Sequence, residues 1–212
     1  MWGEREMPSR ATPFRPRHAM AMAMAAFKRG WLRLGTAFLL SFHVLLRTGE
    51  MVKLRAGDVQ WDFESRQAVL HLGLTKGGRR RGIKNEMVSV DDPYVFQLLR
   101  AALEGLLPGD RLVDCTDTLM RKRFSLCLQD CGLDNLGSEL AFRPYSLRRG
   151  GATHAFRVSG SLDRVMILGR WQHAKTARLY IDDAMVKLAQ MELPATSKLR
   201  MAKLSEAFVA LF

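Results

Sequence analysis

Carboxylates are scarce in this chain: 21 Asp and Glu stand against 33 Lys and Arg, for a formal net charge of +12 and a pI near 10.3. No acidic cluster stands at metal-ligand spacing, so neither a metal nor another cofactor is expected. The same shortage leaves a basic surface, which gains affinity for a polyanion by displacing its counterions. Nucleic acid is therefore the expected partner. Charge alone leaves DNA, RNA and an anionic membrane surface open, and RNA-binding proteins share this composition.

Cysteine is equally sparse. Cys115, Cys127 and Cys131 are odd in number and form no CxxC, which excludes a disulfide framework and a cysteine-based zinc site and reads as buried thiols in a reducing compartment. Long apolar runs are missing too. The longest, residues 36–46, contains Ser41 and His43 and falls well short of the roughly 20 residues that span a bilayer, so it reads as a core helix and no membrane partner is expected. Internal repeats are absent, and low complexity is limited to an Ala/Met patch after His18.

What is present is a globular balance of 48% hydrophobic and 25% charged residues over 212 positions, enough for a sizeable core in one domain. Residues 1–17 carry Arg5, Arg10, Arg15 and Arg17 with three prolines. Glu4 and Glu6 argue against a transit peptide. We expect an N-terminal arm or linker over 1–17 and a folded domain over 18–212.

Helix signals dominate. The Ala/Met run from His18 is closed by Arg29-Gly30, and Trp31 to Leu46 is apolar nearly all round, as a buried helix must be. Gly49 should break that helix beside Arg47. Residues 68–72 and 86–90 read as strands, joined by the turn Lys76-Gly77-Gly78-Arg79-Arg80-Arg81-Gly82. Asp92-Pro93 opens a helix to about Glu104, and another runs from Asp117 to Asp130, ending at Gly132. Ser146 to Val158 is a helix whose Gly150, Gly151 and Ala152 allow close packing. Ser161 caps the next, which ends near Gly169. A helix over 176–190 carries Tyr180, and an amphipathic one follows Pro194. The expected fold is mainly α with a small antiparallel β-sheet, an α+β class.

Four segments carry chemistry. Residues 167–183, I-L-G-R-W-Q-H-A-K-T-A-R-L-Y-I-D-D, place Trp171 nine positions before Tyr180. Upstream stand Leu46-Arg47-Thr48-Gly49-Glu50 with Asp58 and Val59, then Thr75-Lys76-Gly77-Gly78, then Tyr145-Ser146-Leu147-Arg148-Arg149-Gly150-Gly151. In this order and spacing, over residues 46–181, they resemble the catalytic domain of the tyrosine recombinases, the phage-integrase family. One position departs from the pattern: Tyr145 stands where the family usually has His.

The resemblance implies DNA breaking and rejoining through a 3′-phosphotyrosyl intermediate. Arg47 and Arg148 would neutralise the scissile phosphate, a task suited to a planar fork that never deprotonates. Lys76, at a hairpin tip, would protonate the leaving 5′ oxygen. Trp171 would donate its indole N–H, and Tyr180 would attack phosphorus, storing the bond energy in a covalent ester. Glu50 would orient an active-site group, or equally form an ordinary i,i+3 pair with Arg47. A phenol at Tyr145 can hydrogen-bond phosphate but is a poor acid or base near neutral pH. His173, or His154, could take over that duty. Arg79, Arg80, Arg81, Lys84 and Arg149 are expected DNA contacts.

The expected partner is double-stranded DNA, with a homo-oligomer on DNA and a separate core-binding domain as further possibilities, since only about 30 residues precede the buried helix. The expected location is intracellular with DNA, in the nucleus of a eukaryote or the cytoplasm of a bacterium or phage. Two alternatives stay open: a catalytically inactive DNA-binding relic, and a type IB topoisomerase-like relaxing activity.

Overall fold

The structure, a computed structural model, describes residues 11–73, 85–134, 136 and 140–212. Its helices are α1 (Pro16–Lys28), α2 (Leu32–His43), α3 (Thr48–Lys53), α4 (Pro93–Leu103), α5 (Asp117–Cys131), α6 (Tyr145–Ser159), α7 (Leu162–Gly169), α8 (Ala174–Tyr180), α9 (Asp183–Glu192) and α10 (Ala195–Val209). Strands β1 (Val59–Asp62), β2 (Gln67–Gly73) and β3 (Glu86–Val90) form one antiparallel sheet in the order β1-β2-β3. The mainly helical α+β class is as the sequence implies. β1 escaped the sequence reading, although its Val59 pairs with Leu70 and Trp61 with Ala68.

The boundaries follow from local chemistry. Pro16 sits in the first turn of α1, where a missing N–H is harmless. Asp92 caps α4 by accepting the N–H groups of Tyr94 and Val95, Thr116 caps α5 and Ser161 caps α7. Gly132 closes α5 in the left-handed conformation. In β3, side chains alternate so that Glu86 shares the buried face with Val88 and Val90.

At the centre, α2 is buried from Leu34 to Phe42 and packs on α1, α4 and α6. Phe14, Phe38, Phe124 and Phe142 knit the main core. A smaller cluster of Leu45, Ala152, Val165, Trp171 and Ala177, with Tyr180 against it, holds the other side of α6. Gly151 lets α6 approach α2 so closely that a Cβ would overlap the Phe42 carbonyl oxygen.

Three expectations are corrected. Residues 11–17 are no linker: Ala11, Thr12 and Phe14 are buried, and Phe14 stacks on Phe124 and Phe142 while its N–H bonds the Ser146 carbonyl. Residues 1–10 lie outside the described residues. Gly49 lies within α3, and α2 ends four residues before Arg47, at His43, because Leu45 turns into the left-handed region with φ 53°. The helix expected over 176–190 is two helices, parted at Ile181–Asp182. There Thr153 Oγ1 shares its proton between the Arg149 carbonyl at 3.0 Å and the Tyr180 carbonyl at 3.2 Å, and it accepts the Asp182 N–H at 3.2 Å. Arg149 Nη2 holds the Asp182 carboxylate at 3.0 Å.

Candidate active site

Helix α6 delivers two site residues from its first turn. Arg148 is 1% exposed, and its guanidinium lies 5.0 Å from the Trp171 ring centroid and 5.5 Å from that of Tyr180. Nη1 donates to the Leu45 carbonyl, and Nη2 donates to the Gly169 carbonyl at 2.7 Å. Nε is buried with no hydrogen-bond partner among the described residues. Burial, with Arg47 next, lowers the Arg148 pKa from its ordinary value. An arginine starts so high that it keeps its charge regardless.

Tyr145, one turn earlier, donates its hydroxyl hydrogen to the Tyr180 hydroxyl oxygen. Burial and that bond raise its pKa far above the usual phenol range, against a partial opposing pull from Arg148 and Arg149. Tyr145 is thus a proton-bearing donor near neutral pH and cannot act as a base.

Tyr180 ends α8. Its ring rests on Trp171 at 4.3 Å between centroids and on Tyr145 at 5.5 Å. The Thr153 clasp on its carbonyl fixes the backbone that carries it. Trp171 follows the left-handed cap of α7, and its indole N–H meets no acceptor among the described residues.

Arg47 precedes α3, and its Nη1 lies 2.5 Å from Glu50 Oε1 and 3.9 Å from Glu86 Oε2. Sequence reasoning missed two members of this network. Arg170 caps α7 with φ 56° and is 8% exposed. Its Nη2 donates to Glu50 Oε2 at 2.6 Å and to the Leu45 carbonyl at 3.2 Å, and its Nε lies 3.7 Å from Glu86. Glu86 was legible only as the inward position of a strand alternation, and Arg170 only as a cation wedged between Gly169 and Trp171.

Glu50 therefore both pairs with Arg47 and orients a second arginine. Burial raises its pKa, but Arg170 first and the Arg47 contacts next outweigh that, and the net value falls below the ordinary carboxylate. Three guanidiniums, Arg47, Arg148 and Arg170, face two carboxylates, Glu50 and Glu86, so the seat keeps a net positive charge. A cavity of about 420 Å³ opens beside Glu86, Arg170 and Trp171.

Of the expected site residues, Arg148, Tyr145, Trp171 and Tyr180 converge, and Arg47 joins them through the Glu50 network. His173 is exposed ahead of α8, and its ring makes no hydrogen bond among the described residues. His154 sits further along α6 with its ring 5.8 Å from that of Phe42. Arg149, expected on DNA, is 2% exposed and its guanidinium is committed to the Ala11 carbonyl and Asp182. Lys76, Arg79, Arg80, Arg81 and Lys84 lie outside the described residues.

No protein-family model matches the chain, and no curated protein does either. Solved structures do. The XerH site-specific recombinase bound to difH substrate in a pre-cleavage complex superposes with a TM-score of 0.62 at 17% identity, over 84% of this chain and 52% of that one. The post-cleavage complex of XerH with palindromic difH gives 0.60 at 15%, with the same coverage. XerA recombinase gives 0.61 at 15%, over 89% of this chain and 67% of that one. The chain therefore has a tyrosine-recombinase catalytic-domain fold. It spans about half the length of XerH.

Proposed function

We propose that this chain breaks and rejoins DNA strands in site-specific recombination or mobile-element integration, with Tyr180 as nucleophile. The observation that carries the reading is the meeting of the Tyr180 ring, the Arg148 guanidinium and the Trp171 indole, drawn from three elements, on a seat of net positive charge. Attack of the Tyr180 oxygen on phosphorus forms a phosphotyrosyl ester and breaks the bond to the 5′ oxygen. That oxygen leaves as a hydroxyl with a proton from Lys76, and the Tyr180 proton passes to water, since Tyr145 is already protonated. Arg47 and Arg148 stabilise the added charge on the non-bridging oxygens. Trp171 donates to one of them. Tyr145 tunes Tyr180 through its hydrogen bond and supplies no base.

A nicked suicide duplex tests this. The chain should form a covalent adduct that survives denaturant, with and without a core-binding partner, and Tyr180→Phe should form none while binding DNA like the parent. The variant loses one hydrogen bond, on the order of 1 kcal/mol, so it should stay folded. An adduct from Tyr180→Phe would move the nucleophile elsewhere. A second reading, a DNA-binding relic, is favoured by two features: the Tyr145 hydroxyl is bound to that of Tyr180, and both Arg148 terminal nitrogens are bound to backbone. It takes over if the parent forms no adduct on any substrate. Relaxation of supercoiled plasmid without a specific site would instead identify a type IB topoisomerase-like activity.

A further inference from the structure

Helix α6 has a second business end. From Arg148 to Arg157 it rises roughly 13 Å, and there His154 and Arg157 meet the start of α1 and the first turn of α10 around a cavity of about 560 Å³. Arg15, Arg17, Arg157 and Lys198 line it together with His18 and His154, and no carboxylate is among its lining residues. It shares no residue with the candidate active site. Arg15, Arg17 and Lys198 bring like charges to one cavity, and such a grouping favours an anion that relieves their repulsion.

His18 supplies the second observation. It is 2% exposed, held edge-on by the rings of Phe14 and Phe142, and its Nδ1 accepts the Arg15 backbone N–H at 3.3 Å. Burial, then Arg15, lowers its pKa to about 4, so near neutral pH the ring is uncharged and its proton sits on Nε2. That donor meets no acceptor among the described residues. His18 lines the cavity, and an acceptor oxygen entering it could pair with this donor. The volume falls within the roughly 300–1,000 Å³ of small-molecule sites, large for a lone ion.

We propose that this cavity is a phosphate-ester site that takes a phosphorylated small molecule of nucleotide size, with His18 Nε2 donating to a phosphoryl oxygen and Arg15, Arg17 and Lys198 balancing its charge. A DNA backbone phosphate offers the same chemistry, so the test carries arms for both sources. The full chain, labelled with ¹⁵N, is titrated with inorganic phosphate, with metal-free ATP and with a short duplex while the imidazole resonances are followed. Phosphate and ATP should both move His18 and His154 and raise the His18 titration midpoint, with ATP the tighter. Arg17→Gln and Lys198→Gln, at side chains that are not buried, should each weaken ATP about tenfold, the size expected of one charge-assisted hydrogen bond. Imidazole shifts caused by the duplex and reversed by ATP would support the site and add a backbone source. Silent imidazoles at millimolar phosphate and ATP, affinities unchanged in both variants, or shifts caused by the duplex alone would overturn it. None of these outcomes depends on adduct formation at Tyr180.

Discussion

Arg170→Met isolates the network that sequence reasoning missed. The substitution keeps an apolar stem of similar reach and deletes the charge that Glu50 meets at 2.6 Å and Glu86 at 3.7 Å. Removing one partner of a buried ion pair costs about 3–5 kcal/mol because the other charge stays buried. Arg47 still serves Glu50, so the lower end, about 3 kcal/mol at pH 7, is expected, out of a total stability of roughly 5–15 kcal/mol. The pH dependence is the sharper signature. In the parent, the depressed Glu50 pKa contributes stability that is present above the ordinary value of 4.5 and is lost as pH falls through the lower folded value. In the variant the strongest favourable neighbour is gone while burial remains, so the Glu50 pKa should rise above that of the unfolded chain. Its charged form then destabilises at neutral pH, and protonation relieves the penalty. Urea denaturation should therefore show the gap between variant and parent shrinking from pH 7 to pH 4. Glu50→Gln combined with Arg170→Met should recover more than about 1 kcal/mol relative to additivity. A loss below 1 kcal/mol, or one independent of pH, would refute the argument.

Tyr145→Phe should slow adduct formation about fivefold, the rate equivalent of one hydrogen bond of about 1 kcal/mol, without abolishing it; complete loss in suicide-substrate assays would show a larger role. Lys76→Ala should slow cleavage of an ordinary phosphodiester far more than that of a 5′-thio substrate, whose leaving group needs no proton. Equal slowing would make Lys76 a DNA contact only. Gly151→Ala should destabilise by at least about 3 kcal/mol, because the new methyl overlaps the Phe42 carbonyl and the Leu45 side chain. A parental melting temperature would show that α6 and α2 can part at little cost.

The legible parts of this chain are those set by neighbours in sequence. Asp92 with Pro93, Gly132 and Ser161 are caps that carry their own hydrogen-bond partners within three or four residues. The all-round apolar face of α2 likewise announces burial. What stayed hidden depends on contacts far along the chain. Phe14 looked like part of a basic arm because its partners Phe124 and Phe142 lie over a hundred residues away. The break after Tyr180 is made by Thr153 and Arg149, one turn apart on another helix. In the site, spacing picked out Arg148, Trp171 and Tyr180, whereas Glu86 and Arg170 became visible only when the start of β3 met the end of α7.

The carbonyl of Leu45 changes what the presence of the site arginines means. Leu45 is fully buried with φ 53°, a conformation that costs a branched side chain on the order of 1–3 kcal/mol. Arg148 and Arg170 both donate to its oxygen, and hydrogen bonds from charged donors contribute about 1.5–3 kcal/mol each. They stabilise the turn that ends α2 and thereby set Arg47 two residues later at the start of α3. A relic that never cut DNA would still need both arginines to hold this turn, so their presence does not separate an active enzyme from an inactive descendant. The Tyr180 hydroxyl is different. Its ring packs on Trp171, but its oxygen meets the rest of the described fold only through Tyr145, so folding makes little demand on it. Tyr180→Phe is thus the substitution that separates chemistry from architecture here, and loss of activity in an Arg148 variant would not.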